Sequence, residues 1–317
     1  MGSDKHTTSQ YPSQAQFQPV LKSFDSAMEP VEPNVPFGSS RMINIPLDII
    51  HSIVHHVRND PSTLKQWSTI SRSFLIPCRK HLFSTIHLSH GEDPPSPSPC
   101  TRLYETLHHN PQLVHNIRTL HVANDADWTL KDPSFPKLMG IIADQGTLRE
   151  FSFNMRGCGS THWPTSFPDT HQSAVYNLLG TTGLETVRFY NFCLLFPIEA
   201  IGACPSLRRL EYFGDISCHQ TVDHARPADL SYVLPSSTPG TQRPAIKFLS
   251  FNDATSQRLE KYLCSEACPL DITQLRSLSV HGSSDASFLA AQTLTTASSD
   301  TLTALSWKFP WSSRGVG

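Results

Sequence analysis

The sequence predicts an α/β protein in which a small three-helix module precedes a curved solenoid of about seven parallel strands. Three observations carry this. A single apolar spacing recurs seven times beyond Cys100, helix-period patterns separate the copies, and one compact apolar island runs from Ile43 to Phe83 in an otherwise polar N-terminal region.

In chain order, residues 1–40 are rich in Ser, Gln, Pro and Thr with few aliphatics. So little apolar surface cannot offset the entropy of ordering, and a disordered polar tail is expected. The helical module occupies residues 41–90. In "INIPLDIIHSIVHHV", Pro46 suits the first turn of a helix and Asp48 places a carboxylate near its positive end. Ile49, Ile50, Ile53 and Val57 recur there at helical spacing. "NDPSTL" then offers Asp60 as N-cap and Pro61 at the first helical position, with Leu64, Trp67 and Ile70 or Ser71 along one side of a second helix. A short third helix ends in Leu82 and Phe83, ahead of the strand-like "STIHL". Such a module makes a core too small to stand comfortably alone and is expected to pack against something else.

"GEDPPSPSPC" carries four prolines in ten residues, which forbids continuous helix and sets residues 91–99 apart as a linker. The repeat domain, residues 100–317, follows. Its copies are Ile117/Leu120/Val122, Leu148/Phe151/Phe153, Leu184/Val187/Phe189, Leu207/Leu210/Tyr212, Ile246/Leu249/Phe251, Leu275/Leu278/Val280 and Leu302/Leu305/Trp307. The last two apolar positions of each alternate with polar ones, the period of a strand buried on one face. Between copies, Leu138/Ile141/Ile142, Val175/Leu178/Leu179, Leu259/Tyr262/Leu263 and "SDASFLAAQTL" have helical spacing. One strand and one helix per unit, all strands in one direction, require crossover connections and a parallel sheet. The chain stops at "WKFPWSSRGVG" without a polar terminal repeat, so either a loop wraps back over that end or the chain is a truncated product.

The 16% of charged residues and the net charge of −2, with no basic run, speak against a nucleic-acid partner. No apolar run reaches the length of a membrane span and the N-terminus lacks a signal-peptide core, so no membrane partner and an intracellular location, cytoplasmic or nuclear, are expected. Eight scattered cysteines fit free thiols.

The repeats resemble irregular leucine-rich repeats of the ribonuclease-inhibitor type, without the asparagine of stricter repeats. Copies begin about 31 residues apart on average, at the upper edge of the leucine-rich-repeat range. The island resembles an F-box, and most closely the F-box-like variant of mushroom-forming fungi. Ile45-Pro46-Leu47-Asp48-Ile49-Ile50 stands where that family has Leu-Pro-x-Glu-Leu/Ile, and Ile70-Ser71-Arg72-Ser73-Phe74 where it has Val-Cys-Arg-x-Trp, with Ser for Cys and Phe for Trp. The resemblance implies a Skp-type adaptor, and through it a cullin, as partners. It also implies an adaptor surface made by Pro46, Ile49, Ile50, Ile53, Leu64 and Trp67. The implied role is a substrate receptor of a ubiquitin ligase acting by proximity, with no catalytic residue, metal or cofactor of its own. The alternative is a leucine-rich-repeat scaffold whose helices only cap the repeats.

The outward strand positions Thr186/Arg188/Tyr190, Arg209/Glu211/Phe213, Phe248/Ser250/Asn252 and Ser277/Ser279/His281 should line up on one face. Arg188, Tyr190, Arg209, Glu211 and Phe213 are the candidate site for a protein cargo, since aromatic residues and Arg dominate interfaces. The sixteen histidines show no zinc-protease spacing, and Cys204 and Cys268 precede repeat strands at matching places, as small buried residues do. No nucleophile elbow, phosphate loop or dinucleotide fingerprint occurs.

Overall fold

Helical periodicity and capping chemistry account for the first three elements. The structure, a computed structural model, describes residues 45–89, 97–123, 128–155, 168–192, 198–214, 243–266 and 268–309. The tail expected over 1–40 lies outside the described residues. Helix α1 spans Leu47–His56, α2 Pro61–Ile70 and α3 Arg72–Leu82. Asp60 caps α2, accepting from the backbone N–H groups of Ser62 at 3.0 Å and Thr63 at 3.1 Å. The Ser62 and Thr63 hydroxyls reinforce the cap and, with those N–H groups, pull the Asp60 carboxyl down to about 2. Ile50, Val54, Leu64 and Cys78 form the buried centre of the module, with Val57, Trp67, Phe74 and Leu82 packed around them. Trp67 meets Phe74 edge-on, ring centroids 5.7 Å apart, so the Phe at the end of the F-box-like pattern is used inside the module. Helix α3 is the hub, touching α1, α2 and the 3-10 turn Pro111–Asn116.

All seven repeat copies become strands, and an eighth precedes them. Strands β1 (Thr85–Ser89), β2 (Thr119–Ala123), β3 (Glu150–Asn154), β4 (Thr186–Phe192), β5 (Arg209–Gly214), β6 (Phe248–Asn252), β7 (Ser277–His281) and β8 (Ala304–Lys308) form one parallel sheet in sequence order. Thr85–Ser89, read from sequence with the helices, is thus the first strand of the sheet, and Leu88 belongs to the large core with the repeat residues. The sheet begins before the proline-rich segment rather than after it. Residues 91–96 of that segment lie outside the described residues. Its end is already helical: Ser98 caps α4 (Pro99–His109) through its Oγ, which accepts from Thr101 N at 3.0 Å.

Register follows the sequence pattern along both apolar rows. Leu120, Phe151, Val187, Leu210, Leu249, Leu278 and Leu305 stand in one row across the sheet, and Val122, Phe153, Phe189, Tyr212, Phe251, Val280 and Trp307 in the next. The first positions of the copies, from Ile117 to Leu275, are fully buried. A one-residue slip of any strand would turn its row to the opposite face, so burial itself enforces the register. A short helix α5 (Trp128–Lys131) that no helical spacing announces is followed by α6 (Ser134–Gln145), α7 (Asp169–Leu179), α8 (Ser256–Leu263) and α9 (Asp285–Ala297), which lie between strands as the helical spacings predict. Leu138, Ile142, Val175, Leu178, Leu179, Leu259 and Leu294 bring their apolar faces into the same core. Helix α6 ends on Gly146 in the left-handed region at φ 58°, a conformation that suits glycine. Cys204 and Cys268 are free and buried at the places the repeat spacing gives them.

The last unit is different. Leu305 continues a buried row yet is 56% exposed, while Phe288 and Leu289 on α9 are exposed as well. Among the described residues β8 has β7 as its only strand neighbour, so nothing described covers that end.

Candidate functional site

Two surfaces emerge from this framework, one on the helical module and one on the sheet face opposite the helices. On α1, successive residues turn by about 100°, so a single helix can carry two adjoining apolar stripes. Ile50 and Val54 point into the module core at 3% and 0% exposure. Ile49 and Ile53, one turn apart, remain 47% and 39% exposed, and Pro46 is exposed at the start of the same stripe. Ile45 and Leu47 are exposed beside them.

The six residues assigned to an adaptor surface therefore separate. Pro46, Ile49 and Ile53 lie outside. Ile50 and Leu64 are core residues, because the three helices have few other side chains from which to build a centre, and they are withdrawn from the candidate surface. Trp67 is half-buried between the core and solvent. Ile70, which the helical spacing groups with Leu64 and Trp67, is instead 68% exposed, and Ile76, not singled out by the sequence pattern, is 73% exposed.

On the sheet, the five candidate cargo residues meet in one cluster. Parallel register sets Arg188 beside Glu211, Thr186 beside Arg209 and Tyr190 beside Phe213. Glu211 is the hub: its Oε1 accepts from Arg188 Nε at 3.2 Å and Arg209 Nη2 at 2.7 Å, and its Oε2 from the Tyr190 hydroxyl at 2.5 Å. Arg188 also pairs with Glu150 of β3, a residue the sequence reading passed over. Glu150 shares a row with Thr186 and Arg209, so aligning the second copy with the third and fourth would have found it.

The electrostatics follow from this pairing. Burial alone would raise the Glu211 carboxyl, but the hydrogen bonds of Tyr190 and Arg209 and the charges of Arg188 and Arg209 outweigh it and hold the group below the usual carboxylate range. The Tyr190 phenol is pushed up, first by burial and then by its bond to Glu211. Both shifts describe one locked arrangement in which the charges answer each other.

What the face leaves open is aromatic. Tyr190 and Phe213 stack at 5.4 Å and 12°, His281 meets Phe213 edge-on at 4.9 Å, and the Arg209 guanidinium lies 3.9 Å from the centroid of the Phe248 ring. Phe213, Tyr190 and His281 are all half-buried. At the other end of the sheet His87 and His121 stack at 4.6 Å. Burial, then the neighbouring His87 and Arg188, pull His121 down to about 4, and burial also lowers His87.

Asn252 departs from the outward ladder. It is 9% exposed, and its amide is spent on β5, accepting from Gly214 N at 3.0 Å and donating to Gly214 O at 2.8 Å. The β5–β6 register ends at Tyr212↔Phe251, and this side-chain pair takes over where the backbone ladder stops. Next to it, Asn191 has a positive φ of 57° and donates to Asn154 at 2.8 Å. The register between β4 and β5 shifts there, directly after Tyr190.

Among the described residues no group of three His, Cys, Asp or Glu is placed to hold a metal, and no helix is long and apolar enough to cross a membrane. Cys218, His219 and His224, close together in the sequence, lie outside the described residues. Comparison with family models, with curated proteins and with solved structures finds no match.

Proposed function

We propose that the chain is a substrate-recognition subunit of a Skp-cullin-type ubiquitin ligase. The α1 stripe of Pro46, Ile49 and Ile53 binds the Skp-type adaptor, and the sheet face around Tyr190 and Phe213 binds a protein target. The observation that carries this reading is the second apolar stripe of α1, exposed beside a core that is already filled. A helix with one apolar face beyond what its own module uses is a helix with a partner surface. The likeness of the surrounding sequence to an F-box supplies the identity of that partner.

The paired charges of the sheet face bear on how a target is held. Arg188, Arg209, Glu150 and Glu211 satisfy one another, so a target gains little by offering a counter-charge. It gains by covering the Tyr190–Phe213 stack, since aromatic anchors supply most of the energy of such contacts.

The competing reading is a scaffold without a ligase, favoured by the contact of α3 with the turn Pro111–Asn116, through which the helices sit on the first repeats as a cap. Co-purification of the full chain with a Skp-type adaptor, beside an Ile53→Asp variant, separates the two. A complex formed by the wild type and lost in a folded variant is the expected outcome. A folded wild-type chain that forms no complex favours the scaffold.

A further inference from the structure

A row of charges runs along the edge where the strands begin. The residue that leads into each strand bonds through its backbone to the equivalent residue one unit before: Arg208 N donates to Glu185 O at 2.9 Å, Lys247 N to Arg208 O at 2.7 Å and Arg276 N to Lys247 O at 2.9 Å. The same bonding extends the row back to Ser84 and on to Thr303. Its rungs are spaced as neighbouring strands are, about 4.8 Å apart. Arg118, Arg149, Arg208, Lys247 and Arg276 are the cations on it and Glu185 is its one acid. In the sequence a whole unit separates each of these residues from the next, so they form no basic run. The turns that lead into β2 to β8 along this edge are described throughout.

The row divides into two parts. Arg118 Nη1 donates to Thr147 O at 2.9 Å, and Arg149 Nη1 to Gly183 O at 3.2 Å and to Glu185 Oε1 at 3.1 Å, so the first two cations are held by their neighbours. Arg208, Lys247 and Arg276 make no ion pair or side-chain hydrogen bond among the described residues. Arg208 and Arg276 are exposed and Lys247 is half-buried. Of the acids in the adjoining turns, Asp271 is spent on Thr273, accepting from its N at 2.9 Å and its Oγ1 at 2.7 Å, and Asp300 stands in the turn into β8, past Arg276. Ser84, Glu185 and Thr303 occupy the same position elsewhere on the row, so folding does not call for a cation there.

Three consecutive cations without partners, set at one edge of a rigid sheet, make a surface complementary to a linear anion. The turns over residues 203–208, 243–247 and 271–276 contain no aromatic residue, and the Phe248 ring beside Lys247 is covered by the Arg209 guanidinium at 3.9 Å. A nucleic acid would find no ring here on which to stack a base. We propose that Arg208, Lys247 and Arg276 bind an acidic segment of a partner protein, extended across the starts of β5, β6 and β7. Two rungs span about 10 Å, the reach of about three extended residues, so a run of about four Asp or Glu residues sets a carboxylate opposite each cation. The surface lies at the opposite ends of the strands from the Tyr190–Phe213 stack and is separate from the α1 stripe. It does not rest on the ligase reading.

The test is isothermal titration of the full chain, at low salt, with a hexaglutamate peptide. The same peptide with glutamine in place of glutamate, and an oligothymidylate of equal charge, are run beside it. Hexaglutamate should bind with a Kd below about 1 mM, and raising the salt to about 0.3 M should weaken it about fivefold or more. The double variant Arg208→Ser with Arg276→Ser should weaken it about threefold to tenfold at an unchanged melting temperature, since Ser already serves at position 84 of the row. Arg118→Ser, on the same row but among the held cations, should leave the affinity as it is. The glutamine comparison needs no variant at all. Equal binding of the glutamine peptide overturns the proposal, as does a loss in Arg118→Ser as large as in the double variant, which would leave only a diffuse effect of charge. Tighter binding of the oligothymidylate assigns the row to a phosphate backbone and overturns it too, and so does a folded wild-type chain that fails to bind hexaglutamate at millimolar concentration.

Discussion

Replacing Glu211 by Gln isolates what the charge network on the sheet face contributes. Gln keeps the shape and one acceptor oxygen, so the change removes charge and the second acceptor while packing stays intact. In the wild type the carboxylate holds Arg188 at 3.2 Å, Arg209 at 2.7 Å and the Tyr190 hydroxyl at 2.5 Å. Hydrogen bonds to a charged partner are about twice as strong as neutral ones, a difference of roughly 1 kcal/mol per bond. Arg188 retains Glu150, and the Arg209 side chain is 42% exposed, so its bond is discounted for solvent screening. The expected loss is about 1.5–2 kcal/mol at pH 7.

Urea unfolding followed by circular dichroism measures this loss, and its pH dependence supplies the internal control. The folded Glu211 carboxyl lies below its ordinary value, so its contribution is fully present above about pH 4.5 and disappears as pH falls through the folded value. The gap between wild type and variant should close in that acid window. In the variant the Tyr190 phenol should titrate at lower pH than in the wild type, because the bond and charge that raise it are removed while its burial stays. A variant as stable as wild type at neutral pH, or more stable, refutes the reasoning. Desolvating the carboxylate would then have outweighed its partners.

Three other perturbations probe separate parts of the chain. Leu64→Ala and Ile50→Ala each empty a buried site in the small helical core and should cost about 2–4 kcal/mol. Hydrogen exchange should show the loss in α1–α3 ahead of the sheet, and a uniform loss over the whole chain would contradict a separate module core. Gly282→Ala would drive a Cβ into the Asp253 carboxylate. The start of α9 must then shift, and a loss of about 2 kcal/mol or more is expected by thermal unfolding, whereas an unchanged melting temperature would mean that the loop yields freely. His121 resists protonation in the fold until about pH 4, whereas an unfolded His binds a proton near pH 6.5. Stability should therefore fall as pH drops between these values, by about 1.5–2 kcal/mol after allowance for solvent screening. His121→Gln should flatten that part of the pH profile, and an unaltered slope would place its origin elsewhere.

The sheet was legible in the sequence to the residue because its signal is redundant. Each copy states the register independently, and the buried rows Leu120 to Leu278 and Val122 to Val280 required only that seven statements agree. Phe83/Ile86/Leu88 has the repeat spacing, but Phe83 also reads as the end of the third helix, and so Thr85–Ser89 reads with the helical module. Ser84 accepts at its carbonyl from the N–H groups of Arg118 and Thr119, the same bonding that the Arg118 carbonyl gives Arg149 and Glu150 in the next unit. Asn252 was misplaced for a different reason. Alternation gives the direction of a side chain only while the ladder continues, and at Asn252 the β5–β6 ladder has ended. A polar side chain at that point turns to the unpaired backbone of Gly214, an outcome that needs the partner strand's length as well as the residue's own position.

On α1 the limit is angular. Helical spacing marks Ile49, Ile50, Ile53 and Val54 as one broad apolar arc, and nothing in that spacing says where a small core stops covering it. The answer depends on how far α3 reaches across the arc, and α3 covers the half containing Ile50 and Val54. Burial of that half stabilises the module by roughly 1.5–3 kcal/mol per side chain, and the other half stabilises nothing until a second surface meets it. Retaining Ile49 and Ile53 where Lys or Glu would serve a solvent-facing helix equally well gives the free chain an exposed apolar stripe that contributes nothing to its own folding. In the proposed reading it is the adaptor that covers this stripe.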